Sequence, residues 1–155
     1  MSIRKAEVGD ASKLGALASS LTHFYLADKD SSLPLWLVNT LHISEFENRL
    51  SSTEFVNFVF TQDEAILGYI SIKGKCHLYH LFVSEEYHGR GVARKLWEHA
   101  TACVGSERYT VRASIYSVPV YKRFGFKNSE SVASIDGVMF QPMVLKLKGS
   151  KAIDA

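Results

Sequence analysis

The stretch from Glu85 to Leu96, EEYHGRGVARKL, sets four positive or protonatable side chains, His88, Arg90, Arg94 and Lys95, around Gly89 and Gly91. It reads as a loop running into a helix. A helix N-terminus carries partial positive charge and ordinarily attracts Asp and Glu. Cations there make sense if a polyanion binds at the same point. Glycines let the backbone turn tightly and come close to a ligand. The unpaired N–H groups of the first helical turn then point outward toward an anion. A pyrophosphate suits this array better than a single carboxylate. The other reading of the same residues is an exposed helix start whose arginines point into water. Two phosphate-binding patterns are excluded. The P-loop ends in Gly-Lys-Ser/Thr, which is absent here. The dinucleotide fingerprint GxGxxG needs a third glycine where Arg94 stands, and repeated βαβ units besides.

The remaining chemistry-bearing residues are scattered. Strand alternation puts His77, Tyr79, Leu81 and Val83 on one face and His80 on the other, so His77 and His80 form no metal pair. His99 and Cys103 lie one helical turn apart, and two ligands do not make a zinc site. Cys76 and Cys103 match no zinc spacing and are too few for a disulfide scaffold. They read as reduced thiols in the core of a cytoplasmic protein. No metal is expected.

The elements that must position these groups follow from pattern. The chain has 155 residues, 46% apolar and 22% charged, with a net charge of +2. That is an ordinary globular composition with too little charge to imply nucleic acid or an acidic membrane as partner. The N-terminus has no apolar leader segment, and no apolar run approaches the ~18 residues of a membrane span. With no linker or repeat, one domain is expected over 1–150, with a short tail at 151–155.

Residues 2–7 read as a strand. Residues 9–27 read as an amphipathic helix, with Leu14, Leu17, Leu21 and Phe24/Tyr25 recurring at three and four. DKDSSLPLW interrupts it. Ser44 and Glu47 stand in capping-box spacing at the start of a short helix over 44–50. Strands over 55–62 and 65–73 form a hairpin, and 76–83 follows as a third strand. A helix covers about 90–104, with Val92, Leu96, Ala100 and Cys103/Val104 on one face. A strand spans 109–116 and a short helix 117–125, with Pro119 in its first turn and Gly125 at its end. Asp136-Gly137 marks a closing hairpin. Pro142 in the last strand implies an edge or a bulge. The order is βααβββαβαββ, a mixed α/β sheet of about seven strands. Its one βαβ crossover makes 76–83 and 109–116 a parallel pair.

On these residues the chain resembles the GCN5-related N-acetyltransferases, the GNAT superfamily. LFVSEEYHGRGVARKLWEHA is similar to that family's motif A, Gln/Arg-x-x-Gly-x-Gly/Ala at a strand–helix junction. Gly91 and Ala93 match it, and His88 departs at the Gln/Arg position. ASIYSVPVYKRFGF resembles motif B, with Ser114 standing where the family usually has Asn. The strand order agrees along nearly the whole chain.

The resemblance implies a GNAT-like fold, acetyl-CoA as acyl donor, and transfer to a primary amine of a small molecule or peptide by direct attack in a ternary complex. Splayed parallel strands would leave backbone groups at Leu81, Phe82 and Val83 to pair with pantetheine. The pyrophosphate would lie on the amides of Gly89, Arg90, Gly91, Val92, Ala93 and Arg94, beside His88. An amide near Phe82 would donate to the developing oxyanion. Ser114 and Ser117 would flank the cofactor, and the small Ser117 would let it pass. Tyr121 is the candidate general acid, since a tyrosine (~10) can protonate a leaving thiolate (~8.5).

For deprotonating the amine, His77 and Tyr79 stand where some relatives place a glutamate. His77 is the candidate base or relay, and a plain strand histidine is the other reading. Lys122 and Arg123 read as surface charges. Tyr25 and Trp36 could pack the acceptor's body and Asp28, Asp30 and Glu45 could attract its charge. A solvated loop is the other reading. The alternative to an enzyme is a degenerate acyl-CoA-binding sensor or subunit, hinted at by His88 and Ser114. The C-terminal hairpin edge could support a homodimer.

Overall fold

Two runs rich in β-branched and aromatic residues form the antiparallel centre of a sheet: β2 (Phe55–Gln62) and β3 (Ala65–Lys73). In the computed structural model, which describes residues 1–25 and 33–147, the turn between them is Asp63-Glu64. Both residues lie in the left-handed region, φ 48° and 69°. That is the geometry a two-residue hairpin needs to match the strand twist. β1 (Ser2–Lys5) pairs with β2, and β4 (His77–Val83) pairs with β3. β5 (Arg108–Ser114), β6 (Lys127–Asn128), β7 (Ala133–Ile135) and β8 (Val138–Lys146) complete an eight-stranded sheet, one more than expected. Its order is β1-β2-β3-β4-β5-β8-β6, with β7 also on β8. The fold is thus mixed α/β with a single, mostly antiparallel central sheet.

Helices cover both faces. α4 (Val92–Val104) presses Leu96, Trp97 and Ala100 onto one face, against Phe60, Ile70 and Leu78. α1 (Ala11–Ser20) and α3 (Ile43–Ser51) cover the other with Leu14, Leu17 and Phe46, over Val59, Tyr69 and Phe82. Gly68 on β3 sets how near α4 can come. A Cβ there would stand 2.9 Å from Leu96 Cδ1 and 3.0 Å from Val92 Cγ1.

Several expectations need correction. The first helix is shorter than 9–27: α1 stops at Ser20, and a 3-10 turn follows at Thr22–Tyr25. A helix the pattern did not reveal, α2 (Leu35–Thr40), starts at the end of the interrupting segment and runs beyond it. Ser44 is no N-cap, because α3 begins one residue earlier on His42 without a side-chain cap. Cys76 and Cys103 are exposed rather than core residues. Asp136 (φ 50°) and Gly137 (φ 82°) make the expected hairpin turn. Pro142, however, lies on an inner strand in unbroken register with β5, opposite Arg112. On its other side it falls between the β7 pairings, which end at Phe140, and the β6 pairings, which begin at Met143. Its missing N–H is tolerated where that ladder is interrupted.

Strand alternation also fails within β4. Ser71 pairs with His80 and Ile72 with Leu78, so Tyr79 is an extra residue in a β-bulge. A bulge puts two residues opposite one and resets the alternation. Leu78, Leu81 and Val83 therefore face α4. Tyr79 and His80 turn together toward α3, with ring centroids 4.6 Å apart. Tyr79 does not share a face with Leu81 and Val83.

Candidate active site

β4 and β5 are parallel neighbours for only two residue pairs, His77 with Thr110 and Leu78 with Val111. Beyond these they separate, and β4 from Tyr79 onward loses its partner on that side. A cavity of about 690 Å³ fills the gap. Its walls include Leu81, Phe82 and Val83 of β4, with Ser114, Ser117 and Tyr121 opposite. The mouth is formed by His88, Gly89 and Gly91 and the first turn of α4, Val92, Ala93 and Arg94.

The mouth is open because of its glycines. Gly89 and Gly91 have φ of 76° and 79°, a region that side chains disfavour, and a Cβ on either would meet nothing within 4 Å. Gly91 is the N-cap of α4, provides no side-chain cap, and no acidic residue stands in the first turn. The opening amides of this 13-residue helix, Val92, Ala93 and Arg94, are therefore presented to the cavity with the helix dipole behind them. The charged side chains lining the cavity, Arg94 and Arg123, are both basic. Arg94 donates to the Arg123 carbonyl at 3.1 Å and lies 5.3 Å over the Phe124 ring. Arg123 is exposed, as expected, and also lines the cavity.

His88 donates from Nε2 to the Val83 carbonyl at 2.7 Å. Its ring is 5.6 Å from Phe24, which stacks on Tyr116 at 4.2 Å. The first helical region, the glycine loop and the β5–α5 (Val118–Phe124) turn thus meet across the cavity through these rings. Tyr121 is buried, with edge contacts to Phe124 and Phe126. Ser114 and Ser117 share a 2.7 Å hydroxyl contact beside it.

The other expected site residues lie elsewhere. Arg90 stacks over Tyr87 at 5.1 Å, outside the cavity wall. His77 and Tyr79 also lie off the cavity. His77 Nδ1 is 2.8 Å from Thr110 Oγ1, and its pKa is lowered by burial, then by Arg112 and Lys73. Trp36 donates to Asp136 Oδ2 at 2.9 Å. Glu45 is exposed on α3. The Tyr25 side chain, Asp28 and Asp30 fall outside the described residues. Leu21, Phe24, Tyr87 and Tyr116 line the cavity although sequence reasoning did not select them. No motif singles them out, and only the chain's return over the sheet brings them there. Among the described residues, no group of three His, Cys, Asp or Glu is placed to hold a metal, and no helix is long and apolar enough to cross a membrane.

A parallel strand pair splayed over a glycine-opened helix start is the arrangement of the GNAT acetyltransferases. The chain belongs to that family: the model of the acetyltransferase (GNAT) domain matches residues 29–147. Solved structures agree in fold. The GCN5-related N-acetyltransferase of Rhodopseudomonas palustris superposes with a TM-score of 0.73 at 22% identity, covering 94% of this chain and 95% of that one. The PaiA N-acetyltransferase of Thermoplasma acidophilum, in complex with coenzyme A, gives 0.76 at 20%, covering 94% and 98%. The ribosomal-protein-S18-alanine N-acetyltransferase of Escherichia coli gives 0.69 at 16%, covering 94% and 93%. No curated protein matches the chain.

Proposed function

We propose that this acetyltransferase moves an acetyl group from acetyl-CoA to a primary amine by direct attack in a ternary complex. The observation that carries the reading is the cavity between β4 and β5, open at one end onto the uncapped amides of α4. Those amides, with Arg94 and Arg123 at the cavity wall, suit a diphosphate. Open space at Gly89 and Gly91 leaves room for it to approach the backbone. The unpaired edge of β4 at Leu81 and Phe82 suits the amides of a pantetheine arm. That a relative of this fold holds coenzyme A supports the donor's identity.

In the reaction the amine nitrogen bonds to the thioester carbonyl carbon, the C–S bond breaks, and the nitrogen gives up a proton. The departing thiolate takes a proton from Tyr121, a tyrosine on the wall facing β4. A backbone N–H near Phe82 stabilises the charge on the carbonyl oxygen. The amine's proton passes to solvent water, since His77, the base expected from sequence, lies off the cavity.

A second reading, an acyl-CoA-binding module without turnover, draws on His88, whose ring takes up the Val83 carbonyl that a pantetheine would otherwise use. Two measurements separate them. Acetyl-CoA should raise the melting temperature, and free thiol should appear when amines are added. No thermal shift sinks both readings; a shift with no thiol release over a broad amine panel leaves the binding module.

A further inference from the structure

The sheet face opposite α4 is only half covered. α1 and α3 sit over β2, β3 and the end of β4. Arg112, in the middle of β5 and paired only with Pro142 of β8, is exposed there. This uncovered half carries positive charge that the described carboxylates barely neutralise. Lys73 and His77 are cross-strand partners, as are His77 and Thr110, with Arg112 two residues further along β5. Arg49 of α3 completes the group. It is buried, its guanidinium 4.7 Å from the Phe46 ring and 5.4 Å from Tyr79.

Among the described residues, carboxylates do little to balance these cations. Lys73 reaches Glu54 at 4.0 Å with both side chains well exposed, a contact worth little in water. Arg112 forms no ion pair and is held 4.8 Å over Phe140. Arg49 donates to the Thr40 carbonyl, and its Nε has no partner. Tyr69 cannot supply an anion, because burial pushes its pKa up to about 12. A buried guanidinium without a carboxylate is costly to keep. The field it makes draws anions to the surface. Position matters as much as sign. Tyr79 and Arg112 are the first residues past the last β4–β5 pair, so the cations lie beside the point where the two strands begin to part.

We propose that this face receives the acceptor and selects primary amines that carry a carboxylate, as amino acids and acidic peptide N-termini do. The inference rests on the acetyl-transfer reading. A carboxylate held by Arg112 and Lys73 would place the neighbouring amine beside His77 and Tyr79, where β4 and β5 begin to part.

The test compares matched acceptors in the thiol-release assay: L-phenylalanine against phenethylamine, and L-glutamate and a glutamate-rich peptide against spermidine. The carboxylate-bearing acceptors should have kcat/KM at least about tenfold higher, the scale of one charge-assisted contact. Arg112→Glu should collapse the phenylalanine-to-phenethylamine ratio through KM, and Arg112→Lys should restore much of it. Preference for phenethylamine or spermidine, or an unchanged ratio in Arg112→Glu, overturns the inference while leaving acetyl transfer standing. Thiol release from no amine at all overturns both.

Discussion

The two faces of the sheet are built on opposite terms. On the α4 side, backbone does the work. Positive-φ glycines and uncapped amides present a concave, preformed site whose charge comes largely from a helix end. On the far side, side chains do it. Arg49, Lys73 and Arg112 project from a helix and two strands onto a half-open surface. Backbone amides suit a ligand part that never varies. A surface of side chains can be changed one residue at a time, which suits an acceptor that differs from one family member to the next. A fold can thus keep its donor site while its acceptor site drifts.

The sharpest way to separate the faces is Tyr121→Phe. It should cut kcat by about 100-fold or more, the lower range for a general acid, with acetyl-CoA still raising the melting temperature. Retained turnover would move the acid to another group or to water. A smaller effect is expected from Gly68→Ala. The added methyl pushes into Leu96 and Val92, and overpacking of this kind costs about 1–3 kcal/mol in urea unfolding. Because Val92 opens α4, the same substitution should weaken acetyl-CoA binding and leave the acceptor preference alone. A variant that loses stability without losing donor affinity would show that the mouth is set independently of that contact.

The smallest effect concerns the far face. Burial, and then Arg49, hold the His80 pKa well below its ordinary 6.5, and its Nε2 is enclosed without a partner. The native state therefore keeps His80 neutral while the unfolded chain takes up a proton as pH falls through about 6.5. Stability from this residue is full above that pH and declines below it. His80→Phe should flatten the fall in unfolding free energy between pH 6.5 and 5 by up to ~1.4 kcal/mol per pH unit. An unaltered slope would mean that His80 is already solvated in the native state.

Much of the donor side is legible in the amino-acid sequence. Gly89, Gly91, Val92 and Arg94 fall within six residues, and helix-start physics acts over one turn, so a glycine-opened helix start is visible from spacing alone. The β2–β3 hairpin is equally plain, because period-two patterning and a two-residue turn are local. Local reading fails where the determinant is distant. No local rule shows that Tyr79 is extra in β4, since the bulge exists only against Ser71 and Ile72 of β3. Nothing near Phe24 or Tyr116 announces that they stack across the cavity. Trp36, read as an acceptor contact, binds Asp136, a hundred residues away in sequence.

Most strands and helices, the turns that need left-handed residues and the glycine-opened start of α4 are legible in the amino-acid order, and so is the resemblance to the family. These follow from interactions within a few residues. Tertiary structure alone decided how wide β4 and β5 part, which cations share an uncovered face, and which titratable groups lose their water. Those properties depend on what packs on the far side of each residue, and burial and charge are summed over neighbours that the chain brings together only by folding.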